Sequence, residues 1–278
     1  MEIDSRIRIF HHTKNLGLFR SRLDGILYSR GKYIIAFDTG DLYEDNYVLL
    51  DSYYIMEKYN LDSCKFLFRV ITSFNNLNNS VLPFHINKTI IISYEPKNIK
   101  SLNSEVFRSW GNIWNRLVRA DIYIKGLLLL NELTLNIYKN VWEDVWYNEI
   151  VNKVSYNYAI FKRIGYVYLF NGQGIGSPKS LTLEQKSKII QEYIGFLIFD
   201  YNFCENYECK LSIIKKLREY NETDTRLQLK NFRENFEVLN NFLALLIKDP
   251  DISVENREYC QKLLNESIIR EKELKRSK

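Results

Sequence analysis

The sequence predicts an α/β core that runs into an all-helical C-terminal extension, and three features predict it. A wholly apolar segment, Tyr33-Ile34-Ile35-Ala36-Phe37, follows directly on a helical pattern. Helix-spaced and strand-spaced segments then alternate in the order expected of β-α-β units. Beyond the break Asn171-Gly172-Gln173-Gly174-Ile175-Gly176-Ser177-Pro178 there is no strand signal.

Taken in order, Phe19, Leu23, Ile26 and Leu27 recur at helical spacing, and Gly31 ends that helix. Residues 33–37, apolar without alternation, have the pattern of a strand covered on both faces, as in parallel sheets flanked by helices. In such sheets ligands lie beyond the carboxyl ends of the strands, where Asp38-Thr39-Gly40-Asp41 falls. Residues 46–59 are predicted helical, with Leu49, Tyr53 and Met56 on one face. In the strand predicted at 64–71, Cys64, Phe66, Phe68 and Val70 alternate with Lys65 and Arg69. An Asn-rich loop at 75–79 precedes a short strand at 89–94, which Pro96 ends. Helical runs flank a turn at Trp142-Glu143-Asp144, and 156–160 with 166–170 read as a pair of strands. The break at 171–178 sets two domains, 1–176 and 177–278, and Thr182-Leu183-Glu184-Gln185 has the form of a capping box opening three or four helices.

The bulk properties agree with one large α/β domain and an appendage, since 278 residues with 46% hydrophobic content can bury a sizeable core. The net charge of +5 comes from 39 basic and 34 acidic residues that alternate rather than cluster, which argues against a nucleic-acid partner. The one basic stretch, 270–278, is diluted by Glu271 and Glu273. Cys64, Cys204, Cys209 and Cys260 are sparse and irregular, so reduced thiols are expected, with no zinc site. There is no secretory signal and no apolar run of roughly 20 residues, so the expectation is a cytoplasmic protein without a transmembrane segment.

Asp38 and Asp41, at the mouth of the 33–37 segment, are hard oxygen donors that suit a divalent cation; a solvated loop with a helix cap is the alternative. Arg22, on the preceding helix, suits a phosphate as a forked donor or a neighbouring acid as an ion-pair partner. Glu143 and Asp144 suit the N-terminus of a helix through its dipole.

Three groups of residues together resemble glycosyltransferase family 2. Arg22-Leu23-Asp24-Gly25-Ile26 followed by Arg30-Gly31-Lys32-Tyr33-Ile34-Ile35-Ala36-Phe37-Asp38-Thr39-Gly40-Asp41 is similar to that family's Arg-containing helix, Gly-x-Tyr-Ile strand and acidic motif. Trp114-Asn115-Arg116-Leu117-Val118-Arg119 resembles its Trp/Tyr-Asn-Lys-Leu-x-Arg segment, and Glu143-Asp144-Val145-Trp146-Tyr147-Asn148 resembles its Glu-Asp-x-x-Phe-Asn helix start. The resemblance spans about residues 5–176, and separate segments in the right order are more specific than any one alone.

The resemblance implies an A-type glycosyltransferase fold, a Rossmann-like mixed sheet flanked by helices, and transfer of a sugar from a nucleotide-sugar donor to a hydroxyl acceptor, with inversion. It further implies that Asp38 and Asp41 face the diphosphate and a Mn2+ or Mg2+ ion, that Arg22 lies near the nucleotide, and that Asp144 is the general base. Trp142 and Glu143 would contact acceptor or sugar. Two departures accompany it. Gly40 stands where the family's motif has an acid, and the usual first strand and helix are not recognisable, so an N-terminally shortened domain is expected, with a partner chain able to supply that half. The rival reading is a non-catalytic, shortened binding or assembly protein.

Overall fold

The computed structural model describes residues 4–72, 89–93, 112–130, 143–170, 182–204, 207–223, 232 and 236–276. These fall into two compact units, one reaching from the N-terminal side to residue 167 and one holding residues from 168 onward together with 70–72. The domain boundary expected at 176 and the Asn-rich loop lie outside the described residues.

In the first unit, α1 (Leu18–Tyr28) buries Phe19, Leu23 and Ile26, as their spacing predicts, while Leu27 is left exposed at the edge of the stripe. Helix α2 (Val48–Lys58) buries Met56 as predicted, but together with Val48 and Ser52 rather than with Leu49 and Tyr53, which are exposed. The sequence is apolar on both sides of this helix, so spacing alone did not select between stripes one residue apart. Further on, α3 (Ala120–Leu127) leads to α4 (Glu143–Val154).

The sheet is built from β1 (Tyr33–Ile34), β2 (Leu42–Tyr43), β3 (Ser63–Ile71), β4 (Ile90–Ser93), β5 (Arg116–Arg119) and β6 (Asn157–Leu169). Its order is β1-β5-β3-β6-β2, with β4 also paired to β6. Strand β5 is antiparallel to β1 and β3, and β2 and β4 are each antiparallel to β6. β3 and β6 run side by side in one direction: Asp62 N donates to Asn157 O where both begin, and Phe170 N donates to Ile71 O where both end. The sheet is therefore mixed. A core of Met56, Leu61, Cys64, Leu117 and Ala159 lies against it.

Three strand expectations change. The 33–37 segment is not a strand covered on both faces; only Tyr33 and Ile34 pair, at an edge of the described sheet, and Phe37 is half exposed. The two strands expected at 156–160 and 166–170 are one continuous strand, β6. The strand continues through its charged middle, where Arg163 is held by Asp45 and Asp51. Strand β3 was expected to show Lys65 to solvent, yet Lys65 is buried, directly opposite Arg116 on β5.

Gly126 marks the closest approach of α3 to α4. A Cβ built there would lie 2.8 Å from the carbonyl oxygen of Ile150, a backbone atom that cannot swing aside. Gly126→Ala is therefore expected to destabilise the protein by about 1–3 kcal/mol, the usual range for overpacking, read as a lower urea midpoint at unchanged m-value.

The second unit holds α5 (Leu183–Asn202), α6 (Tyr207–Thr223), α7 (Phe236–Lys248) and α8 (Val254–Arg276). Thr182 and Gln185 close the predicted capping box on α5. Ile190, Ile194 and Leu197 of α5 are buried, as are Ile213, Ile214 and Leu217 of α6 and Leu239, Leu243 and Leu246 of α7. Lys210 pairs with Asp249 and Asp251, each at 2.8 Å. Cys204 and Cys209 form a disulfide across the α5–α6 turn, contrary to the expected reduced thiols, because that turn brings their Cα atoms within 5.4 Å. Cys64 and Cys260 are buried free thiols, as expected. Among the described residues no helix is long and apolar enough to cross a membrane.

Candidate active site

Packing between α1 and α4 creates the site. The Phe19 ring stacks on Tyr147 with centroids 4.9 Å apart, and the Tyr147 hydroxyl donates to the Phe19 carbonyl at 2.7 Å. One turn further along α1, Arg22 is thereby brought to the first turn of α4. Its guanidinium donates from one terminal nitrogen to Glu143 Oε1 and from the other to Asp38 Oδ1, both at 2.5 Å. Asp38, after the 33–37 segment, and Glu143, opening α4, more than 100 residues apart in sequence, thus share one cation.

Little of this cluster faces water: the side chains of Arg22 and Glu143 are 12% and 9% exposed, against 36% for Asp38. Burial works against the Arg22 charge, but Glu143, Asp38 and Asp144 outweigh it and raise its pKa. Glu143 is pushed well above the usual carboxylate range by burial and by the Asp144 charge, with Arg22 opposing. Asp144 is likewise raised, first by burial; Arg22 and the Val145 N–H that it accepts at 2.9 Å pull the other way, and the Asp38 charge adds to the rise. Protons are therefore held in this cluster at pH values where solvated carboxyls have lost theirs.

The acidic motif folds as a β-turn in which Asp41 N donates to Asp38 O at 3.3 Å and Gly40 takes a φ of +95°. That angle lies in the left-handed region, so an acid at position 40 would be strained in this turn. The Tyr166 hydroxyl accepts from Asp38 N at 3.2 Å and donates to Asp41 Oδ2 at 2.8 Å. Tyr166 in turn stacks on Trp114 at 4.3 Å. Asp41 is buried, and its carboxylate serves the turn.

Of the two carboxylates expected to face a divalent cation, Asp38 is engaged by Arg22 through Oδ1 and Asp41 by Tyr166 through Oδ2. Asp38 keeps Oδ2 without a partner among the described residues, whereas Asp41 is turned into the Tyr166 bond. Among those residues no cluster of three or more His, Cys, Asp and Glu could hold a metal. One carboxylate suits an ion held mainly by a diphosphate, as Mg2+ sites commonly are.

Of the predicted residues, the structure brings together Arg22, Asp38, Glu143 and Asp144, places Asp41 behind the turn, and leaves Trp142 outside the described residues. Reading the sequence missed Tyr166, Lys65 and Arg116. Tyr166 carries no signal beyond a strand position. Lys65 and Arg116 stood in recognised patterns, but only their pairing across β3 and β5 shows that both are buried under α4.

The sequence model of Glycosyl transferase family 2 matches residues 1–118. That stretch contains Arg22, Asp38 and Asp41; Glu143 and Asp144 lie beyond it. No curated protein matches the chain by sequence. Among solved structures, the crystal structure of S. aureus TarS residues 1–349 superposes with a TM-score of 0.59 at 11% identity, over 96% of this chain and 74% of that one. Identity that low shows the fold alone, the A-type glycosyltransferase α/β fold expected from the motifs. Residues 1–118 therefore match the sequence pattern of glycosyl transferase family 2, and the described residues have an α/β fold of the A-type glycosyltransferase kind.

Proposed function

We propose that the protein transfers a sugar from a nucleotide-sugar donor to a hydroxyl acceptor in a single inverting displacement, with Asp144 as general base. The observation that carries this reading is the Arg22 bridge, because it joins the Asp38 turn and the first turn of α4 in one cluster.

Breaking the bond between sugar and diphosphate leaves charge on the leaving group, and attack from the opposite side requires the acceptor hydroxyl to lose a proton. Asp38 and Arg22 border the diphosphate position. A Mn2+ or Mg2+ ion bound by Asp38 and the diphosphate would supply further charge stabilisation there. Asp144 takes the acceptor proton, Glu143 orients Arg22, and Trp142, its neighbour in sequence, is assigned the sugar face. As a base Asp144 must be ionised. Since burial raises its pKa, activity is expected to rise with pH through that raised value rather than through the ordinary carboxylate range.

Gly40 and the buried Asp41 favour the second reading, a non-catalytic binding protein. A thermal-shift panel of nucleotide-sugars, with and without Mn2+, combined with an assay of nucleoside diphosphate release, separates the two. Transfer predicts that one donor stabilises the protein, by about 2.7 kcal/mol at roughly 100 times its Kd, and is consumed. Stabilisation without release, or no shift with any donor, favours the non-catalytic binding or assembly protein.

A further inference from the structure

We propose that Arg116 is the positioning residue of the base: from beneath α4 it fixes the turn that presents Asp144 to the acceptor. This rests on the reading of Asp144 given above. Arg116 projects from β5 and is 1% exposed. One terminal nitrogen donates to Asn148 Oδ1 at 3.0 Å and to Asn152 Oδ1 at 2.8 Å, and the other donates to Ser63 Oγ at the start of β3 at 2.8 Å. Asn148 then passes the restraint on, its side-chain amide donating to the carbonyl oxygen of Asp144 at 2.9 Å. Two strands and two turns of α4 are thus tied through one guanidinium to the backbone of residue 144.

A purely structural tie does not explain the choice of residue. The partners Asn148, Asn152 and Ser63 are neutral, and Lys65 lies directly opposite on β3, buried as well. Two basic side chains buried face to face across a ladder are unfavourable, and an apolar pair would join the strands at lower cost. What the guanidinium adds is a rigid fork with several fixed donor directions. It can hold Asn148 and Asn152, one helical turn apart, in one orientation. Burial first, and then the Arg116 charge, push the Lys65 pKa well below its ordinary value, while the nearby Asp144 charge opposes them, so the acid and both basic groups share one electrostatic neighbourhood.

The test is steady-state release of nucleoside diphosphate by the wild type and by Arg116→Gln, Arg116→Lys and Asn148→Ala. A misplaced base slows chemistry without weakening the donor, so Arg116→Gln and Asn148→Ala are expected to lower kcat by about 10- to 100-fold with donor KM within about threefold. Arg116→Lys is expected to recover part of the loss, because an ammonium still reaches one asparagine. If Arg116→Gln fails to fold, Asn148→Ala carries the test, since it removes a single link to the Asp144 carbonyl. Unchanged kcat in Asn148→Ala, or kcat and donor affinity falling together, would overturn the proposal. Wild-type protein that releases nucleoside diphosphate from no donor would instead remove the Asp144 reading, and this inference with it.

Discussion

Asp144→Asn is expected to lower kcat by about 10²- to 10⁴-fold, the span supplied by a positioned general base, while the donor binds as before. The substitution keeps the shape of the side chain and removes only its capacity to take a proton. Stability separates this effect from unfolding. The folded-state pKa of Asp144 is raised, so the stability linked to it is complete below the unfolded value and is lost as pH rises through the folded one. At pH 8 the wild type therefore carries an ionised carboxylate that burial disfavours, and the amide variant is expected to be at least as stable. Chemical denaturation at pH 8 beside single-turnover kinetics checks both halves. A variant that loses stability and activity together would point to a structural acid.

Arg22→Gln is expected to cost stability and donor binding at once. Breaking a buried ion pair by removing one partner typically costs about 3–5 kcal/mol; the lower end is expected here because Asp38 is about one-third exposed and water screens its share. Most of the loss falls on Glu143, whose nearly buried carboxylate depends on Arg22 to oppose burial and the Asp144 charge. Without Arg22 the folded-state pKa of Glu143 rises further. The penalty is then largest above that pKa and shrinks as the pH falls towards the unfolded value, where Glu143 is protonated in both states. Urea titrations of both proteins at pH 5 and pH 8 are expected to show the smaller difference at pH 5. An equal difference at both values would mean that Arg22 acts on stability through something other than these acids.

Much of the site was readable because its parts are local. The helix before the acidic turn buries Phe19, Leu23 and Ile26 at the spacing that predicted it, which fixes where Arg22 points. The acid pair opens α4, where an N-terminal dipole favours it. What could not be read depends on pairing across the chain. The alternation in 64–71 implied a solvated face for Lys65, but β5 sets Arg116 opposite it and that face lies under α4. Residues 33–37 looked like a doubly covered strand, since local apolarity does not report how many neighbours a strand has. Gly40 was visible as a departure from the acidic motif. Its consequence, a left-handed turn with Asp41 held by Tyr166 from the far end of β6, needed coordinates.

The most direct trial of the account is a crystal structure of the Asp144→Asn protein soaked with Mn2+ and the donor that gives the largest thermal shift. The account predicts the diphosphate within hydrogen-bond reach of Arg22 and joined to Asp38 through the soaked Mn2+, with the anomeric carbon facing residue 144 across a gap that an acceptor oxygen can enter. A diphosphate bound elsewhere, or a sugar turned so that residue 144 lies on the leaving-group side, would contradict it.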